Sequence, residues 1–276
     1  MFDAAIWRKT WGDQRALVLA LGALWMVFPW IYIWLSAQIP MSAFQDVLLR
    51  AIPQDWQRLS GVPLTEVGTH VGRVALMFVD PVVVLGATVF GITRGSDVVS
   101  GPLERGTLEM ILAQPVRRAA VFVSHALATV AAAALLAAVL WGAAAGAVAL
   151  GPWAGKVDPW RLAPAAANAF GLMVCFAGIA ACVSAIDSHR WRTVGVMCGC
   201  YVFSILAKLV GRLSDTFAWC GWLSVFNVYE PQRLVGDPAT SWRLLLAYDG
   251  ALLGIGLAGF AIGAWLFSRR DLPAPL

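Results

Sequence analysis

Six apolar runs, each long enough to cross a lipid bilayer, constrain this chain more than anything else in it. A helix needs roughly 20 mostly apolar residues to span the hydrocarbon core. The runs fall at about 16–37, 75–95, 119–150, 162–186, 192–211 and 242–267. The third is long enough to extend beyond the bilayer. The fourth and fifth are separated only by a tight polar turn at 187–192. Because unpaired backbone groups are costly in lipid, the expected fold is all-α with six membrane-spanning helices. The 276 residues then form a single membrane domain, for the runs leave little chain for a separate globular one.

Composition excludes a soluble reading. Apolar residues make up 60% of the chain and charged residues 13%, too few to cover a soluble surface of this size. The 14 tryptophans fit the same picture, since indole rings collect at membrane–water interfaces. A net charge of +4 fits basic loops facing anionic headgroups, so a lipid bilayer is the expected partner and nucleic acid is not. The first run is longer than the apolar core of a signal peptide and reads as a retained first span. Six spans place both termini on one side. Arg117 with Arg118, Arg190 with Arg192, and Arg269 with Arg270 each sit at a span end, which predicts cytoplasmic termini.

Three other segments carry structure. Residues 1–15, with Trp7 and Trp11 one turn apart beside Arg8, Lys9 and Arg15, suit an interfacial helix before the chain turns into span one. Residues 38–74 form the largest outer loop. Residues 212–241 are too apolar for a free loop and suit a re-entrant pair of short helices, with a surface-lying helix as the other reading.

Between spans two and three, Pro102 suits the first turn of a short helix. Glu104 favours the positive end of that helix's dipole, and Pro115 ends it. The expected helix, 102–115, is charged on one side and carries Leu103, Leu108, Ile111 and Leu112 for packing. Either it is an interfacial connector, or it presents a shaped surface for docking. The string ERGTLEMILAQPVRR over residues 104–118 closely resembles the E-x-x-x-G-T-L-E-x-L-L-x-x-P-x-x-R signature of type 2 ABC transporter permeases, the membrane subunits of many exporters. Glu104 stands closer to Gly106 than the acidic residue of that signature does.

The resemblance implies a coupling helix received by a cytoplasmic ATPase. Its docking residues would be Leu103, Glu104, Arg105, Gly106, Thr107, Leu108, Glu109, Ile111, Leu112, Pro115 and Arg117. It also implies a second permease subunit, homo- or heterodimeric, with Gly195 and Gly199 as the candidate dimer contact. ATP and magnesium would bind the partner and not this chain, in the inner (cytoplasmic) membrane of the cell.

The sequence's own chemistry agrees with that division. The nearest string to a phosphate-binding loop, GPWAGKV at 151–157, has a shortened spacing and no Ser or Thr for magnesium. It reads as a turn. No catalytic site is expected: His70, His125 and His189 fall at different depths, and His125 is expected to be a hydrogen-bonded helix contact. Four of the five cysteines (Cys175, Cys182, Cys198, Cys200, Cys220) lie in apolar runs as small hydrophobes, and no metal site is expected.

Ionisable groups inside spans are candidate pathway residues. Asp80, Lys208 and Asp249 fall at similar depth near the outer side. Lys208 there either pairs with one of the aspartates to line a vestibule or snorkels to water. Arg94, near the inner end of span two, either gates or pairs locally with Asp97. An ion-coupled secondary transporter working through Asp80 and Asp249 is the alternative function.

Overall fold

The computed structural model describes residues 4–42, 68–108, 117–236 and 238–270, and the described residues are helices and turns without strands. Among the described residues, six helical segments are long and apolar enough to cross a membrane, by length and composition.

Helix α1 (Ala4–Ala37) runs unbroken for 34 residues, about 50 Å at 1.5 Å per residue. The expected turn between an interfacial helix 1–15 and span one is therefore replaced by a single rod. No proline interrupts it before Pro29, and Gly12 is tolerated mid-helix. Its buried side chains, Thr10, Gln14, Val18, Leu21, Trp25, Pro29 and Ile33, recur every three or four residues, so one narrow stripe faces the protein.

Span two is assembled from two pieces. Helix α2 (His70–Met77) starts on the Thr69 side chain, and α3 (Pro81–Ser96) restarts on Asp80, whose carboxylate accepts from the Val82 N–H at 2.9 Å. The expected helix 75–95 breaks at 78–80 because Pro81 has no N–H to continue the ladder and prefers the first helical turn.

Helix α4 (Ser100–Glu104) follows. The expected helix 102–115 is corrected here: it begins at Ser100, so Pro102 is its third residue. It then stops at a turn in which Gly106 has φ +67°, a backbone conformation that costs glycine little. Residues 109–116 lie outside the described residues, Glu109, Ile111, Leu112 and Pro115 among them.

Helix α5 (Arg118–Leu150) packs along α1. Turns at 151–157, with Gly155 at φ +73°, lead to a 3₁₀ turn (Pro159–Leu162) and α6 (Ala163–Ile186). Helix α7 (Arg190–Leu213) buries only Thr193, Met197, Ser204 and Ala207. Where a pair of short helices was expected, the chain forms three short helical pieces, two 3₁₀ stretches (Asp215–Leu223 and Val225–Val228) and α8 (Pro231–Gly236). Helix α9 (Pro238–Arg269) ends the bundle.

The centre of the bundle is α6, buried on nearly all sides between α3 and α9. In lipid, apolar surface alone does not drive helices together, so close backbone packing does the work. A Cβ at Gly91 of α3 would lie 2.8 Å from the Met173 carbonyl oxygen of α6. On the other side Gly178 of α6 meets the backbone of Gly256. A Cβ at Gly256 would lie 2.6 Å from the Val174 oxygen, and one at Gly259 would lie 2.5 Å from Gly178. Only Cβ-free positions permit these approaches.

Candidate functional site

At the bundle end carrying residues 94–108, the chain leaves α3, enters α4 and meets the α6–α7 turn. A helix start leaves four N–H groups without helical partners. The Ser184 hydroxyl of α6 receives two of the N–H groups here, from Val99 at 3.3 Å and Ser100 at 2.9 Å. The Ser100 hydroxyl donates to the Ser96 carbonyl at 2.8 Å and lies 3.3 Å from the Thr193 hydroxyl of α7. All five residues are buried, so a knot of small polar groups joins the end of α3, the start of α4, α6 and the first turn of α7. Our sequence reading missed Ser184 and Thr193. Ser184 left a signal, as one of very few polar residues in the apolar run 162–186.

Asp97 is the electrostatic hub beside this knot. Its carboxylate lies 2.9 Å from Arg105 Nη2, 3.5 Å from Arg94 Nη1 and 3.9 Å from Arg190 Nη1. A Cβ on Gly101 would lie 2.5 Å from Asp97 Oδ1, so that glycine makes room for the hub. Glu104 Oε2 accepts the backbone N–H of Arg190 at 2.8 Å. It thereby caps α7 and places negative charge at the positive end of that helix.

Arg94, only 2% exposed, also donates through Nη2 to His125 Nε2 on α5 at 2.8 Å. An arginine has no acceptor to offer, so His125 Nε2 must carry the lone pair; its ring is then the neutral Nδ1–H tautomer. His125 is thus a hydrogen-bonded helix contact, and Arg94 pairs locally with Asp97. Arg118 Nη1 donates to the Arg270 carbonyl at 2.6 Å, while Arg270 Nη1 donates to the Ala185 and Asp187 carbonyls at 3.0 and 2.9 Å. Chemically the arrangement holds no activated nucleophile. It is a set of rigid links from a surface turn into α3, α5, α6 and α7.

The sequence-predicted docking residues divide by exposure. Glu104, Arg105 and Gly106 form an exposed turn, Leu103 is partly buried, and Leu108 is 1% exposed against the bundle. Thr107 folds back to the Pro102 carbonyl at 3.2 Å. Arg117 stands at the N-cap of α5 without a side-chain cap bond.

The candidate pathway set is not brought together. Asp80 is spent on capping α3. Asp249 accepts from Asn168 Nδ2 at 2.8 Å, in space left by Gly171. Lys208 pairs with neither aspartate: its Nζ donates to the Phe226 and Tyr229 carbonyls at 2.6 and 3.2 Å and lies 3.9 Å from Glu230. Segment 214–230 folds back over α7 and delivers Glu230, 4% exposed, to Lys208, Arg212 and Arg233. We had not singled out Glu230, although it is the lone acidic residue between 216 and 236. Next to it the Tyr229 hydroxyl donates to the Phe78 carbonyl at 2.6 Å, and burial raises that phenol's pKa.

Gly195 and Gly199 face open space, with nothing within 4 Å of a Cβ at either. The five cysteines are free, and no group of three or more potential ligands gathers for a metal among the described residues.

Comparison with known proteins adds one finding. The family model described as "ABC-2 family transporter protein" matches residues 35–272, from the end of α1 to just beyond α9. No curated protein matches the chain.

Proposed function

The chain belongs to the ABC-2 transporter family, whose members are membrane components of ABC transporters, and from that premise we propose that it is the permease subunit of an exporter driven by a separate cytoplasmic ATPase. The partner binds ATP and magnesium and docks on the turn that follows α4. This chain, together with a second permease subunit, forms the walls of the path in the inner membrane, with both termini cytoplasmic.

One observation carries the reading. An exposed turn, 104–106, is tied directly to α7 by Glu104 and to the end of α3 by Arg105, and from there through Arg94 to α5 and through the α4 start to α6. A push on this turn moves α7 through Glu104, α3 and α5 through Asp97 and Arg94, and α6 through Ser184. Packed elements of this kind shift as units and do not bend continuously. The dimer contact is assigned to α7, the least buried span, whose glycines at 195 and 199 leave room for a second backbone.

Leu108→Pro tests the docking role. Proline removes the N–H at 108 and distorts the turn beneath the exposed residues, far from the α6–α9 packing. The expected result is at least a tenfold fall in ATPase activity coupled to the permease, with helical content and elution profile kept. Undiminished coupling in a correctly inserted Leu108→Pro protein would overturn the docking role.

A further inference from the structure

Helix α5 carries the chain away from the 104–106 turn to the opposite end of the bundle, where the starts of α6 and α9 meet α8 around a pocket of about 160 Å³. Two tryptophans wall it, Trp160 on the 3₁₀ turn before α6 and Trp242 near the start of α9. They are 68% and 57% exposed, while the buried Leu234 and Val235 of α8 make the floor. Trp141 of α5 holds the Trp160 side in place: the two rings lie 5.0 Å apart, and Trp141 Nε1 donates to the Pro159 carbonyl at 3.4 Å.

Asp158 and Arg161 line the same pocket. Residues three apart on a 3₁₀ turn lie one above the other, and opposite charges so placed ordinarily pair. These two do not, and neither carries an ion pair with any other described residue. Asp158 Oδ1 accepts the Trp160 N–H at 3.0 Å, which leaves most of the carboxylate's accepting capacity open. The pocket therefore offers an anion and a cation side by side, with no net charge between them.

That combination selects a zwitterion. An ammonium group is drawn to a carboxylate and to the faces of indole rings, and a guanidinium meets phosphate through two parallel hydrogen bonds. Lys156, in the adjoining hollow, adds a further donor for the phosphate. The surface beyond the pocket says what the zwitterion is attached to. Leu246, one turn along α9 from Trp242, is 76% exposed. Gly250 and Gly254 follow at the same four-residue spacing, with nothing within 4 Å of a Cβ at either. A smooth apolar strip leading from the pocket along a membrane-spanning helix suits an acyl chain, and tryptophans near span ends mark the headgroup level.

We propose that this pocket binds the headgroup of a zwitterionic phospholipid, with the ammonium toward Asp158 and the two indoles and the phosphate toward Arg161. One acyl chain then lies along the α9 strip, and the lipid bridges the starts of α6 and α9. The inference does not rest on the docking reading, since neither ATPase nor transport enters its test.

Native mass spectrometry of the purified full chain in detergent reads the binding, with phosphatidylethanolamine and phosphatidylglycerol of identical chains as probes. One saturable site is expected, with a preference of about tenfold for phosphatidylethanolamine. Asp158→Asn keeps the cap on the 3₁₀ turn, because Asn caps as well as Asp. It should erase the preference by weakening phosphatidylethanolamine alone, which a merely structural role would not do. Arg161→Gln should weaken both lipids by about tenfold. Soluble phosphoethanolamine, without chains, should compete roughly tenfold more weakly or worse, and equal competition would overturn the lipid assignment. The proposal also fails if phosphatidylethanolamine does not saturate, if the wild type holds both lipids equally, or if Asp158→Asn keeps the preference.

Discussion

Gly178→Leu should deprive the protein of its folded state, with a loss of about 3 kcal/mol or more. Gly178 meets the backbone of Gly256 so closely that even one methyl group would overlap its carbonyl oxygen. Backbone cannot swing aside as a flexible side chain can, so α6 and α9 would have to separate. Separation would also open the contacts at Gly259 and at Gly263, where a Cβ would lie 3.2 Å from the Ala181 oxygen. Asp249 would lose its place beside Gly171 in the same movement. The check is thermal unfolding in detergent followed by size-exclusion chromatography. Gly195→Leu is the control: open space surrounds that position, so the single chain should stay as stable as wild type. Any loss in the control should appear only in association with a second subunit.

Asp97→Ala should be the most damaging single loss of a charge. It leaves three guanidinium groups without their shared carboxylate, but they do not suffer equally. Arg105 is half exposed and Arg190 about one-third exposed, so both turn toward water at small cost. Arg94 cannot, at 2% exposure: its remaining hydrogen-bond partner His125 is neutral, and the nearby Asp13 carboxylate on α1 makes no ion pair with it. Stranding that charge should cost about 3 kcal/mol. Adding Arg94→Met should restore much of the stability by removing the stranded charge, because a buried pair exchanged for apolar groups is often close to neutral. Coupling to the ATPase should stay lost in the double variant, because the link from the turn into α3 and α5 is gone. Stability measurements and ATPase assays on both variants separate these two effects.

The spans were legible from sequence because bilayer thickness sets their length, a constraint that acts on each helix alone. Breaks caused by one residue's own chemistry were partly legible. Pro81 and Asp80 together announce a restart of α3, but a hydropathy reading passes through them. Gly106 likewise divides the segment expected to be one helix, because its positive φ answers a local turn that an apolar pattern does not report.

Pairings were the least legible feature. Lys208 finds Glu230 only after segment 214–230 folds back, and Ser184 finds the α4 start 84 residues away. Glycine pairs illustrate the same limit. Gly195 and Gly199, four residues apart, stood out in the sequence, yet the tightest approach joins Gly178 to Gly256, which share no helix. The family was legible because its signature, at 104–118, sits in one continuous stretch. The match over residues 35–272 extends it to nearly the whole chain.

A photo-crosslinking amino acid in place of Arg105, on the exposed turn, tests the central claim most directly. In membranes that contain the working transporter, the account predicts a crosslink to an ATPase subunit bearing a phosphate-binding loop. The same probe at Trp222, 87% exposed at the far end of the bundle, should give none. Crosslinking of the ATPase from position 222, or from neither position in an active complex, would contradict it.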